Sequence, residues 1–298
     1  MLNVLRMAAR LAVASLAAAL SGCTAISFAM ANVPASFGPY HRTTAIPYGD
    51  GARQRLDVYV PDQKGENRPV VIFWYGGSWE AGSRSSYRFV GAALAERGFV
   101  TVLPDYRLYP NVKFPQFLDD AAHAVAWVQQ HAREFGGNPH RIVLMGHSAG
   151  AHMAAFLALN HDYLAKSGAR PEWIAGLVGL SGPYVLRPNS RSLHDNFGAP
   201  YTEADWQPVH FVTRQAPPAF LAHGLKDTVV SVAQTEQLRD ALSANGVRVE
   251  AHLYPGRSHT DTVAALSIPA RGRAPVLDQA VAFIQSVTAS ASGSTEAR

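Results

Sequence analysis

Cysteine is almost absent from this chain of 298 residues, which contains a single one, Cys23. One thiol cannot form an internal disulfide, so a disulfide-stapled scaffold is excluded. Charged residues are also scarce, at 16% of the chain, with 26 basic and 22 acidic. We expect a segment carrying Arg6 and Arg10 to be removed, which leaves 24 basic residues against 22 acidic ones. That near balance does not indicate a nucleic-acid partner.

The N-terminal apolar stretch, Leu11 to Leu20, is too short to span a bilayer as a mature helix. It follows the positive Arg6 and Arg10 and ends in small residues, which is the order of a secretory signal. The run Leu20 to Cys23, Leu-Ser-Gly-Cys, resembles the lipobox of bacterial lipoproteins. In those proteins the thiol is lipid-modified and becomes the mature N-terminus.

We therefore expect a lipoprotein signal peptide over residues 1–22, lipidation at Cys23, a tether over 23–40 and a disordered tail over 290–298. The protein is then anchored to a membrane of the bacterial cell envelope. Thr24 is not the aspartate that retains such proteins at the inner membrane, which favours the outer membrane. Two alternatives stay open: an ordinary secretory signal with a chance cysteine, or a buried apolar helix of a cytosolic protein.

Between tether and tail, residues 41–289 form one block in which apolar runs of strand length alternate with segments of helical period. No internal repeat or low-complexity linker divides it. The predicted strands are Thr44–Tyr48, Leu56–Val60, Val70–Tyr75, Phe99–Leu103, Ile142–Met145, Ile174–Leu180, Phe220–His223 and Val247–Tyr254. The predicted helices are Phe89–Arg97, Leu118–Phe135, Ala149–Leu159, Val232–Ala244 and Leu277–Val287.

Buried strands joined by helices predict an α/β fold, a mostly parallel sheet covered by helices on both faces. The first two strands precede the first helix and are expected to form an antiparallel edge. Pro183 to Pro217 fits no regular element and lies between two core strands, which is typical of a small cap insertion.

The residues most informative about chemistry are Gly146 to Gly150, which read Gly-His-Ser-Ala-Gly directly between a predicted strand and a predicted helix. Glycines on both sides let the chain turn sharply and expose Ser148, a nucleophile elbow. The alternative is a helix N-cap serine with incidental glycines. A serine hydroxyl needs a base within hydrogen-bond reach and a group that orients that base.

In this fold the chain order is serine, acid, histidine. His223, His252 and His259 follow the cap segment, and His259 alone of these lies in the loop after the last predicted strand. We therefore predict His259 as the base. Asp227, after the strand Phe220–His223, is the predicted acid; Asp261 is the competing carboxylate.

The loop after the strand Val70–Tyr75 reads Tyr75-Gly-Gly-Ser-Trp79. Its glycines allow the backbone to approach a substrate closely. The N–H groups of Gly77 and Ser78 are predicted to join that of Ala149 in an oxyanion hole. A simple Gly-Gly turn is the alternative.

Together these residues resemble the Gly-Gly-Gly-loop esterases of the hormone-sensitive-lipase-like group, and more closely the branch with prenylcysteine methylesterases and bacterial feruloyl and acetyl-xylan esterases. The resemblance runs from Leu56 to the end of the domain. It implies that Asp105 and Arg107 brace the oxyanion loop. The family usually has His-Gly-Gly-Gly-Trp, whereas this chain has Tyr75 and Ser78 at the first and fourth positions, so the contacts that support the loop must differ.

The expected function is a carboxylesterase that cleaves esters of a short acyl chain or small alcohol through an acyl-enzyme, without metal or cofactor. Trp79, Tyr184 and Trp206 are candidate substrate-binding residues, with ordinary packing as the alternative. An amidase, arylformamidase-like or peptidase activity on the same scaffold stays open, as does a non-catalytic surface-binding lipoprotein. The oligomeric state is not predicted.

Overall fold

The computed structural model describes residues 28–290. Eight strands form one sheet in the order β1-β2-β4-β3-β5-β6-β7-β8. The strands are β1 (Tyr40–Pro47), β2 (Arg55–Pro61), β3 (Arg68–Trp74), β4 (Val100–Pro104), β5 (Gly137–His147), β6 (Ile174–Leu180), β7 (Ala219–Gly224) and β8 (Val249–Tyr254). The helices are α1 (Arg88–Ala95), α2 (Gln116–His131), α3 (Ala149–Leu159), α4 (His161–Lys166), α5 (Arg191–Asn196), α6 (Glu203–Trp206), α7 (Val232–Ala244), α8 (Asp261–Ala264) and α9 (Val276–Ser290).

The sheet is parallel from β4 through β8, and the carboxyl ends of these strands therefore share one edge. Strands β1 and β2 pair with each other antiparallel, and β2 pairs antiparallel with β4. The predicted antiparallel edge is confirmed. Strands β3 and β5 are buried along their apolar runs because helices connect and cover successive parallel strands.

Helix α3 is buried along its whole length, which explains why it is rich in alanine and lacks a polar face. It begins where β5 ends and packs against β5 and β6. Its predicted bounds, and those of α7 and β6, agree with the structure. The predicted helix Leu118–Phe135 is divided into α2 and a terminal 3-10 turn over Ala132–Phe135.

The segment Pro183 to Pro217 contains the short helices α5 and α6 and a 3-10 turn, connected by irregular chain. It packs over α3: the ring nitrogen Nε2 of His152 donates to the carbonyl of Trp206 at 2.7 Å. The Trp206 indole in turn donates to the Leu186 carbonyl at 3.2 Å. The insertion therefore lies against the helix that follows the nucleophile candidate.

Residues 28–36 lie on the body of the domain. Asn32 is buried, its amide donates to the Ser86 carbonyl at 2.8 Å, and its Oδ1 accepts from the Phe89 N–H at 3.0 Å. The segment interpreted as a tether is thus held against α1 from residue 28 onward. The predicted signal peptide, the predicted lipidation site Cys23 and residues 291–298 of the predicted tail lie outside the described residues. Between residues 28 and 290, no helix has the length and apolar character needed to cross a membrane.

Candidate active site

Ser148 lies at the turn from β5 into α3 with φ 55° and ψ −123°, a conformation that costs a non-glycine residue free energy. The flanking glycines make the turn possible. A Cβ on Gly146 would lie 2.2 Å from the carbonyl oxygen of Gly150, and a Cβ on Gly150 would lie 2.0 Å from that of Trp74. The strand-to-helix turn therefore accepts only glycine at these two positions and presents Ser148 at its apex.

His259 and Asp227 meet at the carboxyl end of the sheet. The Nδ1 of His259 donates to Oδ2 of Asp227 at 2.7 Å, and the side chain of Asp227 is fully buried. The other oxygen, Oδ1, accepts from the backbone N–H groups of Val229 and Val230, each at 2.8 Å. Burial acts to raise the pKa of Asp227, but hydrogen bonds from His223 and His259 outweigh it and hold that pKa well below its usual range.

The loop that carries His259 is tied to the nucleophile turn by His147. The His147 Nε2 donates to the carbonyl of His259 at 3.0 Å, and the centroids of the two imidazole rings are 4.9 Å apart. Burial, assisted by His259, lowers the pKa of His147 to about 3, so the ring is neutral near pH 7. The structure thus brings the predicted base beside the residue that precedes Ser148, a contact that no sequence pattern indicates.

The competing carboxylate, Asp261, bonds within its own loop and to Arg273. Its Oδ2 accepts from the Ser258 backbone and hydroxyl at 2.8 and 2.7 Å, and its Oδ1 accepts from Arg273 at 3.0 Å. His252 lies within β8. His223, at the end of β7, contacts Asp227 Oδ2 at 3.1 Å. That contact was missed in the sequence because spacing does not show which face of a strand end a side chain occupies.

The predicted oxyanion loop has an unusual backbone. Gly77 has φ 129°, while Ser78 and Trp79 have φ 53° and 60°. A Cβ on Gly77 would lie 2.3 Å from the carbonyl oxygen of Ala81. Within residues 28–290, the N–H groups of Gly77 and Ser78 donate to no protein acceptor. Ala149 begins α3, so its N–H has no carbonyl one turn earlier to bond.

A network of buried polar side chains contacts this loop at Tyr75. The Tyr75 hydroxyl donates to Oδ1 of Asp105 at 2.8 Å and accepts from Arg53 at 2.7 Å. The same carboxylate accepts from the Arg84 backbone N–H at 2.7 Å and pairs with its guanidinium. Burial raises the pKa of Tyr75 well above its usual value, so the hydroxyl stays protonated and donates. Tyr75, which replaces the usual histidine, is thus linked to Asp105.

Arg107 has a different partner from the one that the resemblance implies. Its guanidinium donates to both oxygens of Asp120 in α2, with contacts of 2.7 to 3.0 Å. Asp120 is fully buried and also accepts from the Arg107 backbone N–H at 2.9 Å. Of the two residues expected to brace the loop, Asp105 contacts it and Arg107 holds α2.

Two of the three candidate substrate-binding aromatics belong to one buried cluster. Trp79 is 2% exposed, and its ring centroid is 4.7 Å from that of Phe197, which is 5.9 Å from Trp206. Tyr184 is fully buried beneath β6, where a Cβ on Gly179 would lie 1.9 Å from its hydroxyl. Trp79 of the loop therefore packs against Phe197 of the cap, which in turn packs against Trp206, whereas Tyr184 packs against the sheet.

No group of three or more His, Cys, Asp or Glu side chains within residues 28–290 is arranged to hold a metal ion.

A family model named BD-FAE matches residues 56–242. The chain is 33% identical over 265 residues to a probable isoprenylcysteine alpha-carbonyl methylesterase of Oryza sativa subsp. japonica, covering 80% of this chain and 62% of that protein. It is 30% identical over 241 residues to carboxylesterase NlhH of Mycobacterium tuberculosis (strain CDC 1551 / Oshkosh), covering 73% and 74%. Esterase B from Lactobacillus rhamnosis superposes with a TM-score of 0.73 at 19% identity, covering 93% of this chain and 96% of that one.

A mostly parallel eight-stranded sheet with a serine on a strained strand-to-helix turn defines an α/β-hydrolase fold. The chain belongs to the BD-FAE family, whose model covers more than half of its length. The fold and the class expected from the sequence are thereby confirmed. The chain spans 54% to 62% of the length of the plant methylesterases that it matches.

Proposed function

We propose that this protein hydrolyses carboxylic esters, with Ser148 as nucleophile, His259 as general base and Asp227 as the group that orients the base. The observation that carries the proposal is the short hydrogen bond, 2.7 Å, between His259 and a fully buried Asp227. A carboxylate in that position selects the tautomer with a proton on Nδ1 and leaves Nε2 to accept one. The strained Ser148 turn is tied to this pair through His147.

In the first half of the reaction, the Ser148 oxygen bonds to the ester carbonyl carbon and its proton passes to Nε2 of His259. The carbonyl oxygen becomes negative in the tetrahedral intermediate. The N–H groups of Gly77, Ser78 and Ala149 stabilise that charge, and each such donor typically supports the rate about a hundredfold or more. The bond to the alcohol oxygen then breaks, and His259 gives its proton to the departing alkoxide.

In the second half, water attacks the acyl-enzyme while His259 takes its proton. The second tetrahedral intermediate collapses, the carboxylic acid leaves and the proton returns to the Ser148 oxygen. Atoms and charge balance with water as the only co-reactant. Asp227 remains ionised throughout, since two backbone N–H groups and the imidazole donate to it.

The proposed substrates have a short acyl chain or a small alcohol. The buried aromatic cluster of Trp79, Phe197 and Trp206 fills the space beside the oxyanion loop, which favours small groups there. The names of the plant relatives, methylesterases, describe removal of the smallest alcohol. Tyr184 is fully buried and lies outside this cluster.

The test is esterase activity of Ser148→Ala on p-nitrophenyl acetate and butyrate. A loss of about 10³-fold or more in kcat is expected. Ser267→Ala is the control, since Ser267 is a buried serine whose hydroxyl donates to the Ala264 carbonyl, at 2.7 Å. Full activity in Ser148→Ala would overturn the proposal, and faster cleavage of matched anilides than esters would transfer it to the amidase alternative. Labelling of Ser148 by a fluorophosphonate separates an enzyme from a non-catalytic binding protein.

We also propose that Cys23 is lipidated and anchors the protein to the bacterial cell envelope, at the outer membrane. No Asp, Glu, Lys or Arg occurs between Arg10 and Arg42. In the part of this segment that the structure describes, Met30, Val33 and Phe37 are 63%, 64% and 85% exposed. These apolar side chains lie within fourteen residues of Cys23 and suit a lipid surface.

Metabolic labelling with a palmitate analogue tests this proposal in a bacterial host. We expect label on the wild-type protein and none on Cys23→Ala, with the variant released from the membrane fraction. Unlabelled wild-type protein would refute lipidation. Separation of inner and outer membranes on a density gradient then tests the membrane assignment.

A further inference from the structure

His223 contacts the predicted triad acid at the same carboxylate oxygen, Oδ2, that accepts from His259. It lies at the end of β7 and is fully buried. Its Nε2 is 3.1 Å from Oδ2 of Asp227 and 3.0 Å from the carbonyl oxygen of Val230. Its Nδ1 is 2.7 Å from the hydroxyl of Thr235 in α7. Both ring nitrogens are therefore occupied, and one of them faces the carboxylate.

The partners of His223 determine where its proton lies. The Val230 carbonyl can only accept, so Nε2 must carry a proton. In the neutral ring Nδ1 then accepts from the Thr235 hydroxyl, and in the protonated ring it donates to the same oxygen. In either state Nε2 keeps its proton, and two acceptors lie within its reach: the Val230 carbonyl oxygen at 3.0 Å and Oδ2 of Asp227 at 3.1 Å. The Thr235 and Val230 contacts thus keep a protonated nitrogen of His223 beside the Asp227 carboxylate, whether the ring is neutral or charged.

Four donors surround the Asp227 carboxylate. Oδ1 accepts from the Val229 and Val230 N–H groups, while Oδ2 accepts from His259 at 2.7 Å and lies 3.1 Å from the protonated Nε2 of His223. We infer that His223 is a positioning residue of the triad. It shares Oδ2 with His259, prevents rotation of the Asp227 carboxylate, and weakens the attraction between the Asp227 charge and His259. This inference rests on the proposed esterase function.

Removal of the His223 donor has two separable consequences. The carboxylate gains freedom to rotate, so kcat falls by about tenfold or more, while KM changes little because His223 touches no substrate. Oδ2 also loses a competing donor and holds the protonated His259 more strongly. The acid limb of the kcat/KM profile then moves to higher pH, by ~0.5 unit. A loss of packing alone would lower activity without moving that limb.

The charged and titratable groups around His259 and Asp227 do not obscure the expected shift of the acid limb of the kcat/KM profile. His259 is flanked by Asp227 and His147, and Asp227 by His223 and His259. Asp261 and Arg273 on the neighbouring loop bond each other. His147 has a pKa of about 3, so it does not titrate in the range where the His259 limb is measured.

The experiment compares His223→Asn with His223→Gln. The shorter amide of asparagine reaches toward Thr235 but not Asp227, whereas the glutamine amide nitrogen takes the place of Nε2 and restores the donor. We expect the fall in kcat and the shift of the acid limb in His223→Asn, and recovery of both in His223→Gln. His252→Asn, which replaces a histidine on the adjacent strand with no contact to Asp227, is the control with unchanged kinetics. Thermal melts verify that each variant is folded.

A double-mutant cycle provides the decisive measurement. In an Asp227→Asn background, with Ser148→Ala as the blank, His223→Asn should cost less than twofold, because its effect passes through the carboxylate. An equal cost in both backgrounds, or an unshifted limb in folded His223→Asn, would overturn the inference. If instead Ser148→Ala retains activity, the proposed function fails. If Ser148→Ala is inactive but His223→Asn is fully active, the proposed function stands and only the positioning role of His223 fails.

Discussion

Tyr75 stands where similar esterases usually have the histidine of the His-Gly-Gly-Gly-Trp loop. The substitution Tyr75→Phe tests what the Tyr75 hydroxyl contributes to stability and activity. The substitution removes one oxygen and retains the ring, which stacks on Tyr106 at 4.8 Å. The Asp105 carboxylate loses the donor at 2.8 Å but keeps the Arg84 N–H at 2.7 Å. Arg53 keeps the carbonyls of Tyr106 and Gly82, at 2.8 and 2.9 Å.

Since Arg53 stays satisfied, the main loss is one hydrogen bond to a buried charged group, worth about 1.5–3 kcal/mol in the free energy of unfolding. For a domain of this size that corresponds to a fall in Tm of roughly 3–12 °C. Tyr75 directly precedes the glycines of the oxyanion loop. We expect kcat on p-nitrophenyl acetate to fall about tenfold with little change in KM, since a displaced oxyanion donor affects the transition state.

Tyr106→Phe is the matched control because Tyr106 is equally buried and its hydroxyl donates to a neutral acceptor, the Tyr75 carbonyl, at 3.1 Å. That bond is worth about 0.5–1.5 kcal/mol. Urea unfolding at pH 7 measures both variants alongside the wild type. A loss in Tyr75→Phe no greater than that in Tyr106→Phe, or wild-type kcat in Tyr75→Phe, would show that the link to Asp105 does not support the loop.

Three further predictions address the site. Asp227→Asn should lower kcat by about 10⁴-fold and Asp261→Asn by less than about threefold, as initial rates would measure; the reverse order would restore Asp261 as the acid. Gly150→Ala places a Cβ 2.0 Å from a backbone oxygen and should leave little folded protein on size exclusion, whereas Gly272→Ala, with nothing within 4 Å, should behave as wild type. Burial lowers the pKa of His152 from 6.5 to about 4, so the unfolded chain takes up a proton first as the pH falls, and stability declines between those values. His152→Gln should remove up to ~1.4 kcal/mol per pH unit of that slope in urea titrations; an unchanged slope would contradict it.

The elements around the nucleophile could be predicted because local patterns specify them. A β-branched run, a Gly-x-Ser-x-Gly turn and an alanine-rich helix follow one another in β5 and α3, and each pattern is local to a few residues. The helices of the cap could not be predicted: α6 has four residues, and its capping-box bonds between Thr202 and Asp205 compete with many alternatives in an isolated segment.

Chain order predicts Ser148, Asp227 and His259 as the triad, since parallel strands bring their carboxyl ends to one edge and the loops there are few. It could not identify His147, His223 or Arg84, whose partners lie 112, 4 and 21 residues away along the chain. Those contacts depend on which strands are neighbours and on which way a side chain points at a strand end. The alternation and spacing of residues therefore determined the fold and predict the reacting groups of this protein. Only the packed sheet decided how the Asp227 carboxylate and the oxyanion loop are held, because those hydrogen bonds depend on which strands are neighbours and on where each side chain points.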